Sequence, residues 1–196
     1  MENEPTAEAI VSWENLQSDT EKFSERILEA LKMLGITEAS SALAIDHACI
    51  RLSSAEKAEQ LVFETTENGQ IISLAEVNGR PIYIVELKQP VSILGKPVQA
   101  LEIPHPKPEQ KYQEGWEHVE FVLPEAENTP EGIEKAFFEQ FPNLSKDQLI
   151  QQCEFKVSEP HSETDQLANP TISLKINGIG LKFHAQPIQK VVGFKT

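Results

Sequence analysis

An imidazole and a carboxylate lie two positions apart in residues 115–123, which read GWEHVEFVL. The alternation predicts a β-strand, because every second residue from Val119 onward is apolar and would lie on one face. His118 and Glu120 would then project together from the opposite face. At that spacing they could share one metal ion or one proton, so the segment predicts a reactive site without naming its substrate.

A similar motif occurs 71 residues earlier in the chain, the difference 118 − 47 between two histidines. An acid precedes the histidine in each copy, Asp46 before His47 and Glu117 before His118. Apolar residues follow each histidine at alternate positions, so the earlier copy also predicts a strand whose histidine opposes the apolar stripe. The two copies indicate an internal duplication.

The elements that follow the two motifs occur in the same order. Each predicted strand is followed by a helical pattern and then by three further strand patterns, which makes a βαβββ unit used twice. Asn-Gly pairs at 78–79 and 177–178 mark hairpin turns inside the two units. The predicted helices cover residues 53–66 and 131–141, and the predicted later strands cover residues 71–76, 81–87, 98–103, 153–158, 171–176 and 180–184.

The last strand of each unit adds one more polar candidate. Glu102 and His184 each lie near the end of that strand, and each opposes the apolar stripe of its own strand. We take these two residues as equivalent positions of the two units. If the stripes pack under the helices, His47, Glu102, His118 and His184 project from the other face and converge near the axis that relates the units.

A helical pattern over residues 5–40 precedes the first unit. Ser18 and Glu21 match a capping box, and apolar residues recur at helical spacing from Phe23 onward. One apolar stripe predicts one buried face, and hence an extension that packs against the rest of the protein. The predicted division is residues 1–40 for the N-terminal helical extension, 41–110 for the first βαβββ module and 111–196 for the second, with both modules in one domain.

Composition and charge restrict the partners that we expect. The formal net charge of −14 would repel a phosphate backbone, which argues against nucleic acid. No apolar run approaches the roughly 20 residues that span a bilayer, and the N-terminus lacks the pattern of a signal peptide. Two cysteines without a CxxC motif indicate a reducing compartment. We therefore expect a cytoplasmic protein without a membrane partner, either a monomer or a homodimer.

Together these features resemble the vicinal oxygen chelate (VOC) superfamily, which includes glyoxalase I, extradiol dioxygenases and fosfomycin-resistance proteins. Paired βαβββ modules whose first strands open with Asp-His or Glu-His are typical of that superfamily. The chain more closely resembles the bacterial YecM family, uncharacterised proteins of the same fold. The segments that carry this likeness are Asp46-His47, Asn78-Gly79-Arg80-Pro81-Ile82, Leu101-Glu102-Ile103-Pro104, Tyr112-Gln113-Glu114-Gly115-Trp116-Glu117-His118, Asn169-Pro170-Thr171 and Lys182-Phe183-His184.

The resemblance implies an α+β fold, in which two βαβββ modules form an incomplete barrel around one cavity, and a divalent-metal site. The superfamily takes its metal ligands from the first and last strands of each module, the positions of His47, Glu102, His118 and His184 here. The usual last-strand ligand is Glu, from which His184 departs. Three imidazoles and one carboxylate suit Zn²⁺, Fe²⁺, Mn²⁺ or Ni²⁺ better than Mg²⁺. Glu120 could replace Glu102 as a ligand or act as a general base. A hydrogen-bonded polar cavity without metal is the alternative.

Three further residues are candidate substrate contacts. Arg51 lies on the same face as the first histidine and could clamp a carboxylate or phosphate with its bidentate fork. A structural ion pair of Arg51 with Glu102 or Glu120 is the other interpretation. Tyr112 and Trp116 could line the pocket, or simply pack.

Three functions from different classes fit these observations. The first is a divalent-metal-dependent enzyme of the oxygenase, isomerase or lyase type, acting on a small oxygen-bearing and potentially anionic metabolite, by analogy with the superfamily. The second is a non-catalytic small-molecule-binding protein of the same fold, and the third is an interaction protein that uses the helical extension. Kinase, α/β-hydrolase and zincin activities have no support, because the chain lacks a Walker loop, a GxSxG motif and an HExxH motif.

Overall fold

Seven helices and eight strands occur in residues 11–108 and 110–194, the part of the chain that the computed structural model describes. In chain order they are α1 (Trp13–Ser18), α2 (Thr20–Met33), α3 (Thr37–Ser41), β1 (Ile45–Arg51), α4 (Ala55–Thr66), β2 (Gly69–Val77), β3 (Arg80–Ile93), β4 (Lys96–Pro104), β5 (Gly115–Val122), α5 (Pro130–Gln140), α6 (Lys146–Gln152), β6 (Glu154–Ser158), β7 (Thr171–Ile176), β8 (Ile179–His184) and α7 (Ile188–Val191). The part of the predicted helical extension before residue 11 lies outside the described residues.

One open mixed sheet contains the eight strands of the described residues, in the order β2-β3-β4-β1-β5-β8-β7-β6. At its centre β1 pairs antiparallel with β5, while β4 runs parallel to β1 and β8 runs parallel to β5. The order consists of two equivalent halves, each built from a first strand, a helical connection and three further strands. The predicted α+β fold with two βαβββ units is therefore confirmed, and the sheet stays open rather than closing into a barrel.

The helices bury one face of this sheet. Phe121 of β5 and Phe183 of β8 stack with ring centroids 5.2 Å apart, and Phe137 of α5 meets Phe183 edge-on at 5.1 Å. In the other half, Leu61 of α4 and Leu101 of β4 belong to the same buried cluster. Because side chains alternate along a strand, the histidines and acids between these apolar residues face away from the helices.

Aromatic residues attach the N-terminal helices to the same core. Phe23 of α2 stacks on Trp116 of β5 with ring centroids 5.3 Å apart, and Trp13 of α1 lies 6.4 Å from that indole. All three side chains are buried. The extension is therefore part of the packed core in the described residues, which agrees with the single buried face that its sequence predicts.

Two helix starts differ from the sequence prediction. Ser18 does not cap α2, because its hydroxyl donates to the carbonyl of Glu14 at 3.0 Å within α1, and Asp19 becomes the N-cap residue without a side-chain cap bond. The sequence analysis also missed α6, whose start is a capping box formed by Ser145 and Gln148. Both cases involve a helix of one or two turns, α1 before the start of α2 and α6 itself, where apolar periodicity gives little signal.

Hydrogen bonds between β1 and β5 join the two halves into a single sheet. The boundaries at residues 1–40, 41–110 and 111–196 remain predictions. None of the helices in residues 11–108 and 110–194 has the length and apolar composition needed to cross a bilayer.

Candidate functional site

Two β-bulges shape the centre of the sheet. In the β1–β5 pairing, Asp46 is an extra residue on β1 and Glu117 is an extra residue on β5, so neither has a partner in the ladder. Each bulge falls on the acid directly before the motif histidine. Strict alternation would send the acid and the histidine to opposite faces, but the bulge lets both side chains reach the same side of the sheet.

Each acid contacts the adjacent imidazole. Asp46 Oδ2 lies 2.7 Å from Nδ1 of His47, and Glu117 Oε2 lies 3.0 Å from Nδ1 of His118. A carboxylate that accepts the Nδ1 proton fixes the ring orientation and leaves Nε2 to face the centre of the sheet. The sequence analysis did not predict these contacts between each acid and its adjacent histidine. The acid-His dipeptide that occurs in both modules was the feature that could have indicated them.

Glu120 lies where the two imidazoles meet. Its Oε1 is 3.4 Å from Nε2 of His47, 3.3 Å from Nε2 of His118 and 2.8 Å from Nζ of Lys182. The Glu120 side chain is 3% exposed, so these contacts are made almost without water. Three nitrogen atoms from three strands thus converge on a single carboxylate oxygen.

Glu102 approaches the same centre from β4. One of its carboxylate oxygens lies 3.9 Å from Nε2 of His47. His47, Glu102 and Glu120 each offer a ligand atom within 4.8 Å of the others, which is close enough for one metal ion to collect them after small side-chain movements. His118 reaches this group through Glu120.

His184 lies apart from this group. Its Nε2 is 3.5 Å from Oδ2 of Asp46, and its Nδ1 is 3.3 Å from Oδ1 of Asn169. Its ring meets the His47 ring edge-on, with centroids 5.6 Å apart. Among the described residues, His184 therefore shares a cluster of possible metal ligands with Asp46 and His47, but not with Glu102 or Glu120. The four predicted metal ligands are neighbours, yet they do not face one common point.

The strand register shows which residues of the two modules are equivalent. His47 pairs with Ala100 on the parallel strand, and His118 pairs with Gly180 in the same way. Two residues further along, the last strands carry Glu102 in the first module and Lys182 in the second. The assumed equivalence of Glu102 with His184 is therefore wrong by two residues. Lys182 occupies the position of the second module that corresponds to Glu102.

Charge is balanced inside this buried centre. Burial alone would lower the pKa of His47, but the negative charges of Glu120 and Asp46 raise it to about 10. Burial would raise the pKa of Glu120, yet Lys182 and His47 hold it well below the usual range. Burial opposes the charge of Lys182 as well, and Glu120 and Glu102 nevertheless raise its pKa. The pKa of His184 is lowered, with burial as the main cause. Without metal, ionised carboxylates thus neutralise Lys182 and His47.

A cavity of about 240 Å³ opens beside Glu102, Glu120 and Lys182. Both modules contribute to its wall, the first through β2 and β3 and the second through β6 and β7. Ile188, on α7, also lines it, and the backbone N–H of that residue donates to Asp46 Oδ2 at 2.9 Å. Glu102, Glu120 and Lys182 therefore lie at the wall of a space that a small molecule can enter, and the imidazoles lie behind Glu120.

The three predicted substrate contacts are placed differently. Arg51 lines the cavity, donates from Nε to Glu117 and lies over the ring of Tyr112, 5.4 Å from its centroid. Its ion pair is therefore with Glu117, rather than with either of the two acids named in the sequence analysis. Trp116 does not line the cavity, because the bulge at Glu117 turns it to the helical face, where its indole donates to the Leu16 carbonyl at 2.9 Å. Packing, the second interpretation of Trp116, is the one that the structure shows.

A comparison with known families identifies the chain. The family described as "YecM protein" matches residues 12–195. The chain belongs to the YecM family. A protein of Haemophilus influenzae, described only as uncharacterized, is 32% identical to this chain over 186 residues, with 91% of this chain and 93% of that protein covered. Protein YecM of Escherichia coli is 28% identical, with 94% of this chain and 95% of that protein covered.

A solved structure described as "Structural Genomics, Protein EC4020" has a TM-score of 0.75 to this chain at 26% sequence identity. The match covers 97% of this chain and 100% of the chain in that structure. The fold is therefore shared along the full matched length. The predicted YecM membership is confirmed, and the paired βαβββ order agrees with the VOC fold that the sequence resembles.

The donor atoms of this YecM family member fit a divalent metal, with one conflict. His118 Nε2 is buried and lies 3.3 Å from Glu120 Oε1, without a hydrogen bond of good geometry to any described residue, so a metal could take it as a ligand. His47 Nε2 and the carboxylates of Glu120 and Glu102 supply borderline and hard donors beside it. The conflict is Lys182, whose ammonium holds the Glu120 oxygen that a metal would take. Metal binding there requires Lys182 to move away and His47 to release its proton.

Gly180 gives the His118 ring its space. A Cβ built on Gly180 would lie 2.6 Å from Cβ of His118, a distance at which something must shift. We expect Gly180→Ala to lower the free energy of unfolding by about 1–3 kcal/mol and to displace the imidazole. Urea unfolding measures the first effect, with Lys175→Ala as control, because Lys175 is exposed and pairs with Gly180 across the sheet. Equal stability of the two variants would contradict the prediction.

Proposed function

We propose that this protein is a divalent-metal-dependent enzyme of the VOC type that acts on a small oxygen-bearing metabolite. His47, His118 and Glu120 would hold the metal, with Glu102 as the neighbouring acid. One observation carries the proposal: Nε2 of His47 and Nε2 of His118 both approach Glu120 Oε1, while a carboxylate holds Nδ1 of each ring. Imidazoles oriented in this way by carboxylates are typical of metal ligands.

The proposed ligand set differs from the predicted one, because Glu120 replaces Glu102 and His184 is left out. Glu120 takes the ligand role, because both imidazoles face it, and His184 supports Asp46 from behind rather than facing the centre. Glu102 lines the cavity and, among the described residues, pairs only with His47 at 3.9 Å, whereas Glu120 pairs with Lys182 at 2.8 Å, so Glu102 is the better placed proton acceptor. When bound, the metal would supply Lewis-acid polarisation of a substrate oxygen. The reaction type, oxygenase, isomerase or lyase, comes from the superfamily resemblance alone.

The cavity limits the size of the substrate. Its volume of about 240 Å³ is below the range of roughly 300–1,000 Å³ that is usual for drug-sized ligands. Polar side chains from both modules meet an apolar wall, which suits a metabolite of a few carbon atoms with one or two oxygen groups. Such a compound could place an oxygen beside Glu120 and bury its carbon atoms against α7.

Metal content tests the proposal directly. Protein purified without a chelating column is stripped with a chelator, reloaded in turn with Zn²⁺, Mn²⁺, Fe²⁺ and Ni²⁺, dialysed and analysed for metal. We expect one ion per chain for at least one metal, and loss of that ion in His47→Ala and in His118→Ala. His161→Ala is the matched control, because His161 is exposed in a loop outside the site. Metal retained in both site variants, or no metal in a folded wild-type protein, would refute the proposal.

A non-catalytic small-molecule-binding protein is the second candidate, and Lys182 favours it. The ammonium of Lys182, 2.8 Å from Glu120, already provides the positive charge that a metal would bring. In that case the cavity binds its ligand without metal. Ligand binding to chelator-treated protein with unchanged affinity after metal addition supports this candidate, and binding that requires metal supports the enzyme.

A further inference from the structure

Two arginine side chains lie in the same wall of the cavity, Arg51 from the end of β1 and Arg80 from the start of β3. We propose that Arg51 and Arg80 form a subsite that binds a carboxylate or phosphate group of the ligand. This inference rests on the proposed function only in taking the cavity as the ligand site. It names the chemical class of the ligand, a small organic anion.

The Arg51 guanidinium is held in place by contacts with the protein, but one of its nitrogen atoms has no hydrogen-bond partner among the described residues. Its Nε donates to Glu117, its guanidinium carbon lies 5.4 Å from the centroid of the Tyr112 ring, and the side chain is 12% exposed. These contacts fix the plane of the guanidinium. Its Nη1 is buried and has no hydrogen-bond partner among the described residues. A buried N–H without an acceptor is unfavourable, so a ligand oxygen at this atom would be favoured.

Within the described part of the chain, Arg80, the second arginine of the cavity wall, is also anchored by one hydrogen bond and has one unpaired N–H. Its Nη1 donates to the carbonyl of His105 at 3.1 Å, which anchors the side chain through a neutral group. Its Nε is buried and has no partner among the residues that the structure describes. Each arginine therefore uses one edge of its fork for the protein and leaves an N–H on another edge free. Carboxylates and phosphates are the ligands whose paired oxygens match such edges.

The sheet sets the two arginines at a suitable separation. Pro104 of β4 pairs with Ile82 of β3, and β4 lies between β3 and β1. The β1–β4 register extends to place Arg51 level with Pro104, and Arg80 lies two residues from Ile82 along β3. Their Cα atoms are therefore about 12 Å apart, a gap that two long side chains can close on one anion between them.

The rest of the wall defines the other end of the ligand. Ile82, Ile84 and Ile188 line the cavity between the arginines and the centre of the sheet, so the part of the ligand next to the anion should be apolar. At the position that corresponds to Arg51 the second module has Val122, and its cavity-lining cations are two lysines without a planar fork, Lys156 and Lys182. The anionic end of the ligand is thus assigned to the first module.

The arginine side chains themselves report binding. The chain contains three arginines, and Arg26 lies on α2 outside this cavity. In ¹⁵N-labelled, chelator-treated protein, the Nε–Hε signals are followed during titration with 3-methylbutanoate, with inorganic phosphate and, at matched ionic strength, with sodium chloride. We expect the Arg51 and Arg80 signals to shift with one or both oxyanions, to saturate, and to stay in place with chloride, while the Arg26 signal does not move.

Variants decide whether the forks are needed. Arg51→Lys and Arg80→Lys keep the charge and lose the planar fork, and each should weaken oxyanion binding by about tenfold or more. Lys156→Met, on an exposed lysine at the cavity rim, should change it by less. Shifts in all three arginine signals alike, no saturation, or lysine variants that bind as the wild type does would overturn the proposal. Because metal is absent throughout, a positive result stands even if the metal analysis fails.

Discussion

Replacing Lys182 with Met should tighten the binding of a divalent cation by about 100-fold or more. The Lys182 ammonium lies 2.8 Å from the Glu120 oxygen, and its side chain is half-buried. A unit charge at about 4 Å from an ion contributes roughly 4 kcal/mol per charge at the effective dielectric of a protein, so the lysine opposes the ion strongly. Met keeps the length and apolar stem of lysine without its charge.

Isothermal titration of chelator-treated protein with Zn²⁺ and Mn²⁺ measures this effect. Lys175→Met is the matched control, because Lys175 lies exposed on β7, next to β8. Lys182→Glu should tighten binding further, since it places in the second module the residue type that Glu102 supplies to the first. Unchanged or weaker affinity in Lys182→Met would show that the ion, if bound, does not use the Glu120 oxygen.

Replacing Glu120 with Gln should destabilise the metal-free protein by about 3–5 kcal/mol near neutral pH. Gln keeps the shape of the side chain but removes the negative charge that faces Lys182, His47 and His118. Two positive charges, on the buried His47 and the half-buried Lys182, would then lose their main partner. Chemical unfolding of chelator-treated protein measures the loss, and Glu154→Gln, on an exposed acid of β6, is the control.

The difference between wild type and Glu120→Gln should depend on pH. The pKa of His47 is raised from its ordinary 6.5 to about 10, so its contribution is complete below 6.5 and is lost as the pH rises towards 10. The pKa of Glu120 is lowered from 4.5, so its contribution is present above 4.5 and is lost as the pH falls below that value. The difference should therefore be largest between pH 4.5 and 6.5 and shrink towards pH 10.

A double variant separates charge from packing. If the loss in Glu120→Gln comes from unpaired charge, adding Lys182→Met should recover part of the stability, because the half-buried ammonium is removed as well. Strictly additive losses would instead point to packing, and would contradict the proposed charge balance.

The fold was largely predictable from the sequence because its signals are local. Alternating apolar residues predicted the strands, Asn-Gly pairs predicted the β2–β3 and β7–β8 turns, and the repeated acid-His dipeptide predicted the duplication. Asn78 and Asn177 have φ values of 53° and 49°, the left-handed conformation that these turns require. The β3–β4 turn at Leu94 and Gly95 has no Asn-Gly pair and was not predicted. The sequence analysis missed α6, because its seven residues are too few for a periodic pattern.

The site was less predictable because it depends on register. Alternation places His184 and Lys182 on the same face of β8, and only the pairing with β5 shows that Lys182 lies beside Glu120. The bulges at Asp46 and Glu117 interrupt the alternation of side chains on which the sequence prediction depends, and no residue type in these segments predicts a bulge. Trp116 was interpreted as a possible pocket residue for that reason.

Anomalous X-ray diffraction from crystals of the zinc-loaded protein would locate the bound ion. We expect one anomalous peak per chain, within about 2.0–2.2 Å of Nε2 of His47, Nε2 of His118 and a carboxylate oxygen of Glu120. Data collected on both sides of the zinc absorption edge distinguish the ion from a lighter atom. A peak between Asp46 and His184 instead, or none in the cavity of a zinc-saturated crystal, would contradict this expectation.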